Sequence, residues 1–463
     1  MSSLHTSGSL SFDNKSLTAT PAKVVFLRTW PARTLVALTA TTALASPLYA
    51  ADPLKLSLGG FAEYYMVALT QKPLNHHAFY SGGNDQQKPR GFQMYWEDAE
   101  IWFSASTQLD NGVTVSYRVE METRNADVSG SDVEGLNYLV NSTTNRTLFR
   151  DQHQIAFTGG FGRFEIGDTD GAANSMQYSA PWVTKIGVVD GTDLLLNPSF
   201  NQAGIGTKTG EFNRNNRINY FTPRFAPGFQ FGVSYAPENG STGRGSGGAD
   251  GNAGPVQTEE DNGDFQDITE LGINFVRSMN GIDVAWSLTG VYAPLEECEF
   301  TKVGAFNGCS NFNYNVDRYI VHNGFQVSFA GWTIGAGASV DNRGFKAGQG
   351  ISWEGNAGVT YAIGPWAIGI QGGYGEANGN YTKIGEPASS SGNGVDTKAA
   401  VALGASYALG PGIQLQAEAQ YINWGSRQAL DSDSTSSAER EEILDSGSRS
   451  HGFAFAFGTA LSF

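Results

Sequence analysis

Acidic and basic side chains are distributed over this chain in a pattern that could build an electric field. One long connection without periodicity, residues 169–213, holds or adjoins four aspartates: Asp168, Asp170, Asp190 and Asp193. Arginines occupy polar positions of the alternating segments on either side of it: Arg118, Arg124, Arg150 and Arg217. If the two sets faced each other across a gap, they would order water and favour charged or dipolar solutes over apolar ones.

Two glutamates leave the sign of that field open. Glu120 and Glu122 alternate with Arg118 and Arg124 on the same face of one segment. An arginine on that face could also pair with an acid of a neighbouring strand and stiffen the sheet. The pattern therefore supports either a charged lining that acts on solutes or a set of structural ion pairs.

The other clusters of reactive side chains do not predict an enzyme. No nucleophile elbow, phosphate-binding loop, zinc-ligand spacing or dinucleotide fingerprint occurs in a convincing context, and the six histidines suggest no catalytic set. One acidic run, Glu259, Glu260 and Asp261, could bind a structural divalent cation such as calcium. The alternative for this run is a solvated acidic loop. No other cofactor is expected.

The N-terminus and the cysteines both indicate export. Basic residues precede the apolar stretch 34–48, and small residues follow it, which is typical of a secretory signal. We expect residues 1–50 to be a signal peptide with an N-terminal extension, cleaved near Ala50, and residues 51–463 to be the mature domain. Cys298 and Cys309 lie eleven positions apart in a polar stretch and are expected to form a disulfide in an oxidising compartment.

Composition excludes several classes of protein. The chain has 463 residues, 59 glycines, 12% aromatic and only 16% charged residues, unlike a helical soluble enzyme. After residue 50 it has no apolar run long enough for a membrane-spanning helix. A net charge of −16 also argues against nucleic acid as a partner.

The mature region repeats a single pattern, in which segments of about ten residues alternate between apolar and polar side chains. Short glycine-containing turns and long polar connections follow these segments in turn. The segments are 54–68, 93–107, 113–126, 148–158, 163–168, 214–222, 229–236, 268–278, 282–293, 317–329, 332–342, 350–362, 366–375, 396–409, 413–424 and 450–463. An even number of about sixteen strands with this asymmetry is typical of a transmembrane antiparallel β-barrel with short periplasmic turns and long extracellular loops.

The last segment shows the alternation most clearly. Phe453, Phe455 and Phe457 fall on one face, with Ala454 and Ala456 on the other. On a soluble protein this edge would invite aggregation. In a barrel, the phenylalanines would face lipid and the small residues the lumen, and the strand would pair with 54–68 to close the cylinder. Aromatic residues near other segment ends, including Trp424, are expected to form interfacial girdles.

In several ordered segments the chain resembles the general diffusion porins of Gram-negative outer membranes, particularly their alpha-proteobacterial branch. The segments include 56–65 (LSLGGFAEYY), 109–115 (LDNGVTV), 160–171 (GFGRFEIGDTDG), 218–223 (INYFTP) and 227–235 (PGFQFGVSY), together with the terminal Phe463. The resemblance implies an outer-membrane homotrimer of sixteen-stranded barrels that passes ions and small hydrophilic solutes by diffusion.

The resemblance also gives roles to particular residues. It implies that the third long loop, 169–213, folds into the lumen as a constriction, bordered by the four aspartates, the four arginines and Glu120. It implies that Phe463 is the signal read by the barrel assembly machinery. Membrane lipid and lipopolysaccharide are the surroundings that it implies, and Glu259, Glu260 and Asp261 could hold a divalent ion that bridges to lipopolysaccharide.

Three other functions remain open at this point. A channel selective for one solute could use the same barrel. A surface adhesive or structural barrel protein would use its long loops to bind partners. A secreted soluble β-sandwich enzyme would be extracted without detergent.

Overall fold

The computed structural model describes residues 53–72, 89–125, 146–191, 193–195, 203–239, 265–296, 316–345, 350–379, 394–426 and 449–463. Several predicted features lie outside these residues and stay predictions. They are the leader 1–50 with its cleavage near Ala50, the Cys298–Cys309 disulfide, and the acidic run Glu259, Glu260 and Asp261.

The described residues form sixteen strands and one short helix. The strands are β1 (Lys55–Gln71), β2 (Phe92–Gln108), β3 (Thr114–Asn125), β4 (Arg146–Gly159), β5 (Gly162–Thr169), β6 (Asn215–Phe221), β7 (Phe229–Glu238), β8 (Gln266–Met279), β9 (Ile282–Ala293), β10 (Arg318–Phe329), β11 (Trp332–Asp341), β12 (Ser352–Ile363), β13 (Trp366–Gly379), β14 (Gly394–Gly410), β15 (Ile413–Ser426) and β16 (Arg449–Ser462). The helix α1 (Ala172–Ser175) follows β5. No helix among the described residues is long and apolar enough to cross a membrane.

Each strand pairs with its sequence neighbours in antiparallel fashion, and β1 pairs with β16, so the sheet closes on itself. The closing ladder runs from Phe61 opposite Ser462 to Gln71 opposite Gly452. Backbone hydrogen bonds of 3.0 Å in both directions between Gly60 and Phe463 extend it to the last residue. The predicted antiparallel barrel and its closing strand are confirmed, and closure leaves no free sheet edge.

The two faces of the strands separate as the alternation predicts. On β16, Phe453 and Phe455 are 63% and 52% exposed on the outside, whereas Ala454 and Ala456 are buried inside. Tight turns connect strands at one end of the barrel. Asn280 and Gly281, for example, have φ angles of 52° and 80°, the left-handed pair that a two-residue hairpin between twisted strands requires.

The interior contains an apolar cluster that the alternation pattern did not predict. Val67 and Leu69 of β1, with Ile422 and Trp424 of β15, face inward and are buried against the segment that follows α1. The expectation that Trp424 belongs to an interfacial girdle is wrong, because its side chain is only 1% exposed inside the barrel. Part of the lumen is therefore filled with packed apolar side chains.

Candidate pore constriction

The described parts of the long connection between β5 and β6 lie inside the barrel, as predicted for the third loop. They run along the inner wall in two limbs, an outgoing limb (172–191) and a returning limb (203–213). Backbone N–H groups of the outgoing limb donate to wall side chains: Ala172 to Ser234 at 2.6 Å, Ala173 to Glu270 at 3.0 Å, Tyr178 to Ser287 at 2.9 Å and Ala180 to Asn356 at 3.0 Å. Such bonds satisfy loop backbone that would otherwise be buried without partners.

Glu418 of β15 is the main anchor of the loop tip. Its Oε2 accepts hydrogen bonds from Trp182 Nε1 and from the Gly187 N–H, both at 3.1 Å, and from the Thr184 hydroxyl. Glu418 is 1% exposed. Removing this carboxylate would take this acceptor from the Thr184 hydroxyl and the Gly187 N–H, whereas Trp182 Nε1 would keep its 2.7 Å hydrogen bond to Thr184 Oγ1. The loss of an acceptor for buried donors is costly in a low-dielectric interior.

Ion pairs hold the returning limb to the wall at β10–β12. Arg318 of β10 makes a two-pronged pair with Asp341 of β11 (3.1 and 2.6 Å) and bonds Glu211 of the loop at 3.0 Å. Lys208 of the loop lies 3.1 Å from Glu354 of β12. Burial alone would lower the pKa of Lys208, but the neighbouring Glu354 and Glu211 carboxylates raise it, so this lysine stays charged.

The predicted loop aspartates do not form an exposed acidic face. Asp193 accepts a 2.7 Å hydrogen bond from Lys398 of β14, and both side chains are largely buried. Asp168 is 1% exposed at the end of β5. Asp170 is partly accessible and lies 3.7 Å from Arg214. The loop acids therefore serve mainly as anchors, and the expected acidic loop face is replaced by these internal contacts.

Asp190 connects the two limbs of the loop. Its Oδ1 accepts a 2.7 Å hydrogen bond from the Thr207 N–H, and its backbone has a φ of 51°. A Cβ on Gly206 would lie 2.0 Å from this oxygen, so a larger residue there would displace the Asp190 carboxylate. Burial raises the pKa of the Asp190 carboxyl to about 6; the Thr207 hydrogen bond lowers it, the Glu354 charge raises it and the Lys208 charge lowers it.

A pH dependence of stability follows from the raised pKa of Asp190. The folded carboxyl holds its proton up to pH about 6, whereas an unfolded aspartate loses it near about 3.9. The contribution of Asp190 to stability should therefore be complete below about pH 4 and decline by at most about 3 kcal/mol as pH rises to about 6. Asp190→Asn should remove this slope, because asparagine stays neutral and tolerates a positive φ. Urea midpoints between pH 4 and 7 measure it; parallel slopes in the two proteins would contradict the assignment.

Arg217 is not part of the passage, contrary to prediction. Its guanidinium pairs with Glu270 of β8, donates to the Phe212 carbonyl, and both side chains of the pair are 0% exposed. Glu270 also accepts the Ala173 N–H. The alternation correctly placed Arg217 on the inner face of β6, but the start and end of the loop cover it. This arginine fixes the root of the loop and does not contact a solute.

Arg118 and Glu120 of β3 do face the accessible part of the lumen. Arg118 Nη2 lies 2.6 Å from Glu120 Oε1, and the arginine side chain is 38% exposed whereas that of Glu120 is 7% exposed. Arg214 lies 4.0 Å from the other oxygen of Glu120. The cation is thus accessible while its carboxylate partner is buried beneath it.

For the two remaining predicted arginines, Arg124 and Arg150, the structure gives only the backbone. The side chains of Arg124 and Arg150 lie outside what the structure describes. A β-bulge between Glu120 and Met121 shifts the register, so Arg150 pairs with Met121 and not with Glu122. The simple alternation that predicted an inward Arg150 is interrupted at that point.

The accessible passage lies beside the loop tip in the part of the lumen walled by β1–β4, where the inner face of β1 is itself buried and that of β2–β4 is more accessible. Inner-face residues of β9–β15 are covered by the loop, for example Asn356 and Gln416 at 5% and 1% exposed. Inner-face residues of β2–β4 are more accessible, among them Ser104, Ser116 and Gln154. Among the described residues, the loop covers the inner face on one side of the lumen and leaves polar side chains accessible on the other.

Sequence reasoning missed the basic residue that the loop presents to this passage. Lys185 is 40% exposed, and its Nζ lies 3.9 Å from Glu63 of β1. The alternation on β1 and β2 could have identified Glu63 and Trp102 as inward residues, because both continue the inner-face periodicity. Nothing in the loop sequence indicates that Lys185, and not an aspartate, points toward the wall.

Comparison with known proteins agrees with this architecture. The family model described as Gram-negative porin matches residues 35–424. The chain belongs to the Gram-negative porin family. No curated protein sequence matches this porin.

Solved structures share the fold of this porin at low sequence identity. An anion-selective porin from Comamonas acidovorans aligns with a TM-score of 0.51 and 13% identity over 89% of this chain and 100% of that chain. A loop L8 deletion mutant of OmpT, an outer membrane protein of Vibrio cholerae, aligns with a TM-score of 0.50 and 10% identity over 89% and 100% of the two chains. Family and fold together establish this porin as an outer-membrane β-barrel that forms a diffusion channel.

Proposed function

We propose that solutes cross this porin passively between the loop tip and the wall of β1–β4, with no covalent chemistry. The observation that supports this best is the difference in accessibility between the two sides of the lumen. Small ions and hydrophilic solutes meet serines, glutamine and ion pairs there, and water-filled polar passages of this kind let such solutes move by diffusion. No step of this transport requires a catalytic group or a cofactor.

Fixed charge at the constriction favours cations weakly. Three bases border the passage, Arg118, Lys185 and Arg214, against four carboxylates, Glu63, Glu100, Glu120 and Asp170. A permeating ion within a Debye length, about 8–10 Å at physiological salt, responds to their sum. We therefore expect a modest preference for potassium over chloride that decreases as the salt concentration rises.

Single substitutions at the wall should change this preference in opposite directions. Arg118→Gln removes a positive charge and should raise the potassium-to-chloride permeability ratio, whereas Glu120→Gln should lower it. One unit charge at about 4 Å in a water-like dielectric contributes about 1 kcal/mol, or about fivefold. Reversal potentials across a KCl gradient in planar bilayers measure both shifts. If both variants keep the wild-type reversal potential, the passage does not run past β3.

A solute-selective channel on the same barrel is the second candidate. The observation that favours it is the rigid anchoring of the loop, which could hold a binding site at fixed geometry. Titrating solutes against single-channel current separates the two, because a selective channel shows saturable block by one class of solute. An adhesive role would instead depend on the long loops and would persist without conductance.

We propose the following partners for this channel. The exposed apolar residues of β1, β2 and β16, such as Leu56, Met94 and Phe455, are available for lipid and for two further copies in a homotrimer. Lipopolysaccharide would surround the outer rim, with a divalent cation such as calcium at Glu259, Glu260 and Asp261. Residues 1–50 would direct export and be removed near Ala50. Phe463, 66% exposed at the closing strand, would be recognised by the barrel assembly machinery.

A further inference from the structure

Two aromatic side chains lie on the inner face of the wall where it meets the loop tip. Phe61 of β1 and Trp102 of β2 have ring centroids 5.7 Å apart with an interplanar angle of 57°. Trp102 Nε1 donates a 2.6 Å hydrogen bond to Glu100 Oε2, which fixes the orientation of the indole. Phe61 is buried, at 6% exposure, whereas Trp102 is half-buried beside the passage.

A cationic side chain lies over each of these two rings. The guanidinium carbon of Arg118 lies 4.3 Å from the centroid of Trp102, and Lys185 Nζ lies 5.6 Å from the centroid of Phe61. Both distances are within the range of cation–π attraction. A continuous row of cation, ring, ring and cation therefore crosses from the loop tip to β3.

The guanidinium of Arg118 is held as a platform. One side of it contacts the indole, and Glu120 fixes its edge at 2.6 Å. The arginine side chain as a whole is 38% exposed. A planar guanidinium stacks on aromatic faces, which a lysine ammonium does not do in the same way. The guanidinium, supported by the indole, thus presents a flat, positively charged surface to passing solutes.

We propose that Trp102, Arg118 and Lys185 form a subsite for small planar anions, with aromatic carboxylates as the chemical class. The ring of the solute stacks on the accessible side of the Arg118 guanidinium. Its carboxylate is attracted by the positive charge of Lys185, whose side chain is 40% exposed at the other end of the row. This inference rests on the proposed passage along β1–β4.

Binding at this subsite is weak because buried carboxylates surround it. Glu63, Glu100 and Glu120 lie beneath the exposed cations at 3%, 1% and 5% exposure and reduce the net positive charge that an anion experiences. Permeation requires a site that attracts a solute but also releases it. Planarity, and not net charge, is therefore what distinguishes the preferred solute.

Block of single-channel current in KCl tests the proposal with a matched pair of ligands. Benzoate and cyclohexanecarboxylate carry the same charge and have similar size, but only benzoate is planar. In the wild-type porin, benzoate should block saturably and with an apparent affinity at least about fivefold higher than cyclohexanecarboxylate, the size of effect that one stacking contact supplies. Equal block by the two anions would overturn the proposal.

Three variants test whether benzoate blocks the current at the Arg118 guanidinium and its Trp102 support. Trp102→Leu removes the support under the guanidinium, and Arg118→Lys keeps the positive charge but loses the plane; each should weaken benzoate block about fivefold to tenfold. Phe103→Leu is the matched control, because Phe103 is the next residue on β2 and is 50% exposed on the outer face. Its benzoate block should stay within about twofold of wild type. Equal losses in all three variants, or none, would place the block elsewhere.

The experiment also separates this inference from the proposed function. If the reconstituted protein shows no conductance, the channel proposal itself fails. If it conducts KCl and responds to Arg118→Gln and Glu120→Gln but shows no benzoate preference, only the subsite is refuted. Because Arg118→Lys retains the charge, its reversal potential in KCl should move less than that of Arg118→Gln while its benzoate block is weakened.

Discussion

Replacing Glu418 with alanine is expected to make the open-channel current unsteady. The carboxylate accepts hydrogen bonds from Trp182, Thr184 and Gly187 and so holds the loop tip against β15. Losing an acceptor for buried donors costs about 1–3 kcal/mol. A loss of about 3 kcal/mol raises the population of a locally detached tip by about two orders of magnitude. We expect severalfold greater current noise and frequent substates in single-channel recordings.

A control on the same strand shows whether the effect comes from the loop. Gln414 lies on the inner face of β15, four residues nearer the turn, and is exposed. Gln414→Ala should leave the current as steady as in the wild type. Quiet recordings from Glu418→Ala would mean that the apolar cluster around Ile186 and Val188 is sufficient to hold the loop.

The second large effect concerns stability. Arg217→Met should lower the free energy of unfolding by about 3–5 kcal/mol, because it leaves the carboxylate of Glu270 buried without its ion-pair partner. Ion selectivity should not change, since neither side chain is exposed to the passage. Urea unfolding of the refolded protein in detergent, followed by tryptophan fluorescence, measures the loss. Reversal potentials on the same preparation test the second expectation.

The double variant Arg217→Met with Glu270→Gln provides the control for this pair. Glutamine removes the uncompensated charge and keeps an acceptor for the Ala173 N–H, which Glu270 bonds at 3.0 Å. Most of the lost stability should therefore return. A shift of selectivity in Arg217→Met with unchanged stability would instead support the original prediction that Arg217 lines the passage.

The strand pattern of this porin was largely predictable from its sequence, because membrane barrels impose strict alternation. The segment 282–293 coincides with β9 (Ile282–Ala293). Predicted and observed ends agree best where a glycine-containing turn joins two strands. At the opposite end they differ more: 366–375 became Trp366–Gly379. Small and polar residues beyond position 375 carry no apolar alternation, although their backbone continues the ladder.

The charge arrangement at the constriction was only partly predictable, since it depends on contacts between the loop and distant strands. Alternation correctly put Arg118, Glu120 and Arg217 on the inner face. It could not show that the loop covers Arg217, that Asp193 pairs with Lys398, or that Lys185 points to the wall. Each of these facts follows from the path of the loop, which has no periodicity of its own.

Apolar packing inside the barrel was also beyond the reach of the pattern. A tryptophan near the end of a barrel strand, such as Trp424, predicts a position in the interfacial aromatic girdle. That prediction fails where apolar residues in the lumen bury the side chain. Here Ile186, Val188 and Leu194 of the loop provide the partners. The loop and the inner wall form a small hydrophobic core of their own, which fixes the loop on one side of the lumen and leaves the other side open.

Single-channel recording of Arg118→Gln and Glu120→Gln beside the wild-type porin in planar bilayers tests the central claim most directly. The wild type should give discrete, ohmic current steps in KCl with a weak preference for potassium. The Arg118 variant should become more selective for potassium and the Glu120 variant less so. Absence of current steps, or steps with the same reversal potential in all three proteins, would contradict a passage that runs between the loop tip and β1–β4.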